Sequence, residues 1–143
     1  MDDDLLLHRS IDLAAQARAR GDHPFGALLV DDDGEIVVTA LNSVNTGSDP
    51  TGHAETNLVR IAGRELTAEQ RATSTLYTST EPCAMCAGAI YWAGIGTVVF
   101  ALSESGLREM TGDDPANPSM SLPCRDVFAA GAHPMSVRGP FPI

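Results

Sequence analysis

The sequence predicts an α/β fold, a three-layer α/β/α sandwich around a five-stranded mixed sheet. Apolar runs of strand length alternate along the chain with longer stretches that have helical spacing. The first two runs, Ala27–Val30 and Ile36–Leu41, are joined by Asp31-Asp32-Asp33-Gly34, and Asp-Gly between such runs is typical of an antiparallel hairpin. The 143 residues, 43% of them hydrophobic, suit one core. We therefore expect a single domain over residues 1–143, with a sheet that is antiparallel at the hairpin and parallel afterwards.

The first half of the chain predicts a helix on either side of that hairpin. Leu5–Arg20 is rich in alanine, has apolar residues at helical spacing and ends before Gly21, a typical stop residue. After the hairpin, residues 42–52 form a polar loop. His53–Ala62 again has helical spacing, and we expect Gly63 to cap this helix.

The second half continues the alternation and supplies three more strands. The predicted strands are Thr75–Thr78, Thr97–Leu102 and Met135–Arg138. The predicted helices are Cys83–Ala93, with Pro82 near its first turn, Ser103–Met110 and Leu122–Ala130. Thr111–Pro123 contains three prolines and is predicted to be a loop, and we expect order to end at Gly139-Pro140-Phe141-Pro142.

Charge and cysteine content narrow the possible functions. Nine basic against nineteen acidic residues give a net charge of -10, the wrong sign for binding phosphates, so we expect no nucleic-acid partner. Three cysteines cannot all pair, and the acidic start does not resemble a secretory signal, so we expect a reducing, cytoplasmic setting.

The stretch Cys83–Ser103 carries no charged residue, a length that could suggest a membrane span. Gly94-Ile95-Gly96 interrupts this stretch, which indicates a buried helix followed by a buried strand and no membrane span.

Two short motifs carry the candidate chemistry. His53-Ala54-Glu55 is weak by itself, because a His and a Glu near a helix start are usually a capping or surface pair. Pro82-Cys83-Ala84-Met85-Cys86 is stronger, since thiols at i and i+3 can reach one ion and a helix N-terminus favours thiolates. Its spacing fits a redox dithiol equally well.

Taken together, the two motifs favour a catalytic zinc site. Two thiolates and one imidazole, from Cys83, Cys86 and His53, supply three ligands and leave the fourth tetrahedral position open, whereas structural zinc sites are closed by four protein ligands. An acidic residue beside the histidine, Glu55, then has a role in proton transfer. A structural zinc module used for binding is the alternative from a different class.

The His-x-Glu and Pro-Cys-x-x-Cys pair is the signature of zinc deaminases. Around it, Pro24-Phe25-Gly26-Ala27, Asn42, Asp49-Pro50-Thr51 and Glu81–Ile90 resemble the cytidine deaminase superfamily. Within that superfamily the likeness is greatest to bacterial guanine deaminases and tRNA adenosine deaminases, and it covers roughly residues 21–114. Tyr91-Trp92-Ala93 and Asp113-Asp114 are similar to the guanine enzymes. The stretch after Asp114 departs from both, since it lacks the long C-terminal helix of the tRNA enzymes.

The resemblance implies a cofactor, a reaction and a set of residues. It implies Zn²⁺ on His53, Cys83 and Cys86, with Glu55 moving protons. Residues two apart point in nearly opposite directions on a helix, so His53 must lie in the first turn if both groups face the metal.

The resemblance also implies a substrate and an assembly. The residues that it implies contact the base are Asn42, Phe25, Ala54 and Asp114. The implied function is hydrolytic deamination of a free guanine- or cytosine-type base or a similar aminated heterocycle, with tRNA adenosine deamination as the alternative. Relatives form dimers, and the uncharged Cys83–Ala93 helix, with Tyr91 and Trp92, predicts a homodimer.

Overall fold

The computed structural model describes residues 2–111 and 120–142. The helices are α1 (Asp3–Ala19), α2 (Ala54–Glu65), α3 (Ala68–Ala72), α4 (Ala84–Ala93), α5 (Glu104–Thr111) and α6 (Cys124–Ala129). The strands are β1 (Gly26–Val30), β2 (Ile36–Leu41), β3 (Thr75–Thr80), β4 (Thr97–Leu102) and β5 (Ser136–Arg138). Among these residues no helix is both long and apolar enough to cross a membrane.

The five strands form one mixed sheet in the order β2-β1-β3-β4-β5. β1 pairs antiparallel with β2 and β3, whereas β3 with β4 and β4 with β5 pair parallel. The β1–β2 turn is stabilised by the Asp31 carboxylate, which accepts from the backbone N–H groups of Asp33 and Glu35, and by Gly34 at φ +86°. The predicted five-stranded mixed sheet is confirmed, but the parallel part begins one pair later than expected, because β3 joins the hairpin antiparallel to β1.

Alternation along the strands sends side chains to two separate cores. In β1, Leu28 and Val30 face α1 together with Tyr77 and Val99, whereas Ala27 and Leu29 belong to the opposite core. That opposite core is covered by α2, α4 and α6, of which α2 packs on α4 and α4 on α6. The predicted three-layer arrangement is therefore confirmed, with α1 on one face of the sheet and α2, α4 and α6 on the other.

Helix ends follow the expected chemistry at two glycines. Gly21 ends α1 with a φ of +97°, and Gly94 caps α4 in the left-handed conformation with a φ of +73°. The predicted cap at Gly63 is wrong, because α2 continues through it to Glu65. One further turn brings Leu66 into contact with the core below α2.

Two other features differ from the sequence-based expectations. Helix α3 was not predicted, although Thr67 and Gln70 form a capping box whose Thr-x-x-Gln pattern is visible in the sequence. The tail does not end the ordered structure at Gly139, since the Phe141 N–H donates to the carbonyl of Ala101 and its ring packs against the α1-side core. Residues 112–119, which include the candidate Asp114, lie outside the described residues.

Candidate metal centre and active site

The starts of two adjacent helices bring the motif residues together. His53 is the N-cap of α2 and Cys83 the N-cap of α4, and both have extended backbone. Neither side chain is used in a capping hydrogen bond. We expected His53 in the first turn of its helix, and the structure places it one residue earlier, as the N-cap. From this position its ring and Glu55 can reach the same site. Because α2 packs against α4, the two motifs meet although they are far apart in sequence.

Three potential metal ligands converge there. The Nδ1 atom of His53 lies 3.4 Å from Sγ of Cys83 and 3.5 Å from Sγ of Cys86, and all three ligand atoms lie within 4.8 Å of one another. Zinc bonds of about 2.3 Å to sulfur and 2.0–2.1 Å to nitrogen would place tetrahedral ligands about 3.6 Å apart. Both the donor types and their spacing therefore fit a zinc ion.

The pKa values of the three potential ligands shift in different directions. Hydrogen bonds from Cys86 and His53 lower the pKa of the Cys83 thiol to about 4, against the opposing effect of burial. The hydrogen bond with Cys83 and burial raise the pKa of Cys86. The hydrogen bond to Cys83, together with the nearby negative charges, raises the pKa of His53. Of the three groups, Cys83 is therefore the one held as an anion at neutral pH, and its thiolate is suited to bind a cation.

Glu55 lies beside this cluster in the first turn of α2. The residue is only 6% exposed, and its Oε1 accepts a hydrogen bond of 2.5 Å from Oγ1 of Thr78 on β3. Burial raises the pKa of Glu55, although the hydrogen bond from Thr78 opposes that effect. A buried carboxyl held in one orientation next to three metal ligands has the character of a general acid and base.

Asn42, at the end of β2, is the buried polar residue most clearly arranged for a ligand. It is 1% exposed, its N–H donates to the carbonyl of Phe25, and its Oδ1 accepts from the N–H of Val44 at 3.0 Å. Its Nδ2 donates to no acceptor in residues 2–111 and 120–142. A buried donor without a partner is costly, so this amide is suited to an acceptor that the described residues do not themselves supply.

The other three residues expected to contact a base differ in burial and in position. Ala54 is fully buried and begins α2, directly between His53 and Glu55. Phe25 is partly buried and packs against the core under α2 and α4. Asp114 lies outside the described residues.

Comparison with known sequences places this site in a family. Residues 1–102 match the cytidine and deoxycytidylate deaminase zinc-binding region. This chain belongs to that family. The match spans the hairpin, both helix starts, the three cluster residues and Glu55, so the predicted resemblance is confirmed.

Individual members of the deaminase family are similar over most of the chain. A probable cytosine deaminase of Schizosaccharomyces pombe is 42% identical over 135 residues, covering 94% of this chain and 82% of that protein. The guanine deaminase of Bacillus subtilis is 42% identical over 115 residues, 80% of this chain and 73% of that one, and its crystal structure superposes with a TM-score of 0.72. A tRNA-specific adenosine deaminase of Haemophilus influenzae is 39% identical over 102 residues, 71% of this chain and 59% of that protein.

The deaminase site also contains residues that the motifs did not reveal. Oγ1 of Thr56 lies 3.1 Å from Sγ of Cys86, and Thr78 holds Glu55. A signal for Thr78 was present, because Thr78 and Thr80 are polar residues at buried positions on one face of β3. Such a pattern requires polar partners on the facing helix. No comparable signal marked Thr56.

Proposed function

We propose that this protein is a zinc-dependent hydrolase that deaminates a free guanine- or cytosine-type base or a similar aminated heterocycle and releases ammonia. The observation that carries the proposal is the His53, Cys83 and Cys86 cluster with the buried Glu55 beside it. Family membership and the relatives named cytosine deaminase and guanine deaminase support it.

In the proposed enzyme, His53, Cys83 and Cys86 hold the zinc. Three protein ligands leave one tetrahedral position for water or substrate, which separates this site from a closed structural one. When bound, the zinc ion acidifies water to a pKa of about 7 and so supplies a nucleophile at neutral pH. The N-termini of α2 and α4, both at the site, favour negative charge developing there.

Glu55 moves the protons of the reaction. Its carboxylate accepts a proton from the attacking water and delivers it to a ring nitrogen of the base, which makes the neighbouring amino-bearing carbon electrophilic. Glu55 then takes the second proton from the hydroxyl now on the ring carbon and delivers it to the amino group. The C–N bond breaks, nitrogen leaves as ammonia and the oxygen stays on the ring as the carbonyl. The hydrogen bond from Thr78 keeps the carboxyl in one orientation during both transfers.

Base recognition in this proposal begins with Asn42. Because Val44 occupies its Oδ1, the amide presents Nδ2 as a donor, which pairs with a carbonyl oxygen or ring nitrogen of the base. Phe25 and Ala54 provide apolar contacts, and Asp114 is retained as an expected acidic contact. Guanine- and cytosine-type rings both offer the required acceptors.

Activity on tRNA is the second candidate, because tRNA adenosine deaminases share the family. The net charge of -10 opposes binding to phosphates, and all of the positive charge comes from nine arginines. We therefore expect no nucleic-acid partner.

An ammonia-release screen of the zinc-loaded enzyme tests the substrate class. The substrates are free bases, nucleosides and an anticodon stem-loop, each at about 50 and 200 mM salt, the range over which phosphate contacts weaken binding strongly. We expect turnover of at least one free base, with kcat/KM nearly independent of salt. Efficient deamination of the stem-loop that falls steeply with salt would instead establish the tRNA activity. No ammonia from any substrate, with zinc bound, would favour a binding module.

For assembly and location the proposal is a cytoplasmic homodimer made of one deaminase domain per chain. Trp92 is 86% exposed and Met85, two turns earlier on α4, is 38% exposed, so one face of this helix leaves apolar surface uncovered. All three cysteines are free, as a reducing compartment maintains them. Light scattering should give a dimer that Trp92→Glu dissociates, whereas Leu5→Glu, an exposed position on α1, should leave it intact.

A further inference from the structure

A buried carboxylate outside the metal centre organises the loop that follows β2. Asp22, in the turn between α1 and β1, is 5% exposed. Its two oxygens accept hydrogen bonds from the N–H groups of Asn45 and Thr46, both at 2.9 Å, and from Oγ1 of Thr46 at 2.7 Å. A fourth hydrogen bond, 2.6 Å long, comes from Nε of Arg20. Four charge-assisted hydrogen bonds on one buried group hold this loop firmly against the end of α1.

Arg20 extends the same network to Asn42. While its Nε donates to Asp22, its Nη2 donates to the main-chain carbonyl of Asn42 at 2.8 Å. The planar guanidinium therefore fixes the distance between Asp22 and the Asn42 backbone, which a flexible ammonium could not do. Burial alone raises the pKa of Asp22, but the hydrogen bonds from Thr46, Arg20 and Asn45 outweigh it and hold the pKa at about 2. The carboxylate is thus ionised under any ordinary assay condition.

Asn42 is tethered at three of its four polar atoms or groups. Its N–H is bound to the Phe25 carbonyl, its carbonyl to Arg20 and its Oδ1 to the Val44 N–H. The contacts with Arg20 and with the Val44 N–H depend on the backbone position that Arg20 and the loop bound by Asp22 maintain. Only Nδ2 is left for a ligand among the described residues, and its direction follows from the other three contacts.

We propose that Arg20 and Asp22 are positioning residues that fix Asn42 for binding the base. This inference rests on the proposed function, in which Asn42 donates to the substrate. Neither residue belongs to the metal cluster, and Arg20 lies at the end of α1, the helix that packs on the opposite face of the sheet. The α1 layer therefore contributes to substrate binding without contacting the metal site.

A double-mutant cycle between Arg20 and Asn42 tests the proposal in the zinc-loaded enzyme. We expect Arg20→Ala to raise KM for the best free base about three- to tenfold with kcat within about twofold, as for loss of one oriented hydrogen bond. Asn42→Ala should raise KM by about tenfold or more. Combined with Asn42→Ala, the Arg20 substitution should raise KM no further, because its effect is transmitted through Asn42.

The matched control is Arg18→Ala, which removes the same charge from an exposed arginine in the last turn of α1. Arg18→Ala should leave KM unchanged. If it raised KM as much as Arg20→Ala does, the effect would come from the change in net charge, and the proposal would be overturned. Multiplicative KM effects in the double variant, or an unchanged KM in Arg20→Ala, would overturn it as well.

Amide hydrogen exchange of residues 42–46 provides a measurement that needs no substrate. Exchange should accelerate in Arg20→Ala and in Asp22→Asn but not in Arg18→Ala, and unchanged exchange in the first two variants would refute the positioning role directly. If the wild-type enzyme releases no ammonia from any base, the proposed function fails. The exchange measurement still reports on the network independently in that case.

Discussion

Two neighbouring residues of β3 show how differently the two faces of the sheet are used. The Tyr77 side chain points into the α1 layer, where its hydroxyl donates to Oδ1 of Asp3 at 2.6 Å. Thr78 points to the other face, where its hydroxyl donates to Glu55. Each face therefore holds one carboxyl group through a hydroxyl of the same strand.

The two carboxyl groups differ in their other partners. Asp3 accepts two hydrogen bonds from the Arg138 guanidinium, at 2.8 and 3.0 Å, and this contact lowers the pKa of Asp3. Within residues 2–111 and 120–142, no arginine forms an ion pair with Glu55, and burial raises its pKa. A paired carboxylate stabilises the fold, whereas an unpaired buried one is free to exchange protons. The Asp3 carboxylate on the α1 face is thus a structural group, whereas the carboxyl group suited to proton transfer lies under α2.

The largest expected effect is on the metal-binding face. Cys86→Ala should abolish zinc binding and deaminase activity together, because two remaining ligands cannot hold the ion in a tetrahedral site. Elemental analysis and ammonia release measure both losses. Cys124→Ala is the matched control, a buried thiol outside the cluster, and should retain zinc. A fully active, metal-free preparation would contradict the proposed chemistry.

The next largest effect is a difference in kcat between variants of Glu55 and of Asp3. Glu55→Gln should retain fold and zinc yet lower kcat by a factor of about 10² to 10⁴, since the amide cannot carry protons. The equivalent change on the other face, Asp3→Asn, should leave kcat within about twofold. Steady-state kinetics at saturating substrate decide the matter, and undiminished turnover in the Glu55 variant would exclude that residue from proton transfer.

A smaller effect is expected from the two hydroxyl donors. Thr78→Val should lower kcat about tenfold, because the Glu55 carboxyl loses the hydrogen bond that orients it. Tyr77→Phe should reduce the free energy of unfolding by about 1 kcal/mol without changing kcat, because its hydroxyl serves only the α1 side. Urea unfolding and steady-state kinetics on both variants test this difference between the two hydroxyl groups. Equal losses of kcat in Thr78→Val and Tyr77→Phe would contradict it.

The smallest effect is a pH-dependent contribution to stability from Asp3. Because its pKa in the folded protein is below the ordinary value of 3.8, the ionised group stabilises the fold fully above about pH 5. That stabilisation is lost as the pH falls through 3.8 toward the lower folded-state pKa. Asp3→Asn should therefore cost about 1 kcal/mol at pH 7 and progressively less below pH 4. Urea unfolding at several pH values measures this, and a constant difference would contradict it.

Much of the fold could be predicted because its signals are local. The Asp-Gly turn, the glycine stops at Gly21 and Gly94 and the alternation of strand and helix patterns each depend on a few adjacent residues. The extension of α2 to Glu65 could not be predicted in this way, because it depends on the burial of Leu66 in a core assembled from distant elements.

The features of the metal-binding site likewise separate into local ones, which the sequence predicts, and long-range ones, most of which it does not. The sequence by itself determined that Cys83 and Cys86 lie within one turn at the start of a helix and that His53 lies at the start of another, since both follow from local patterns over a few residues. The paired motifs also predicted that His53 meets these cysteines, and the structure brings the three ligand atoms together. Only the tertiary structure decided that Thr78 reaches Glu55 and that Arg20 reaches Asn42. Those contacts join residues far apart in the chain. They form because packing the apolar sides of the helices on the sheet brings the polar groups at its edge together.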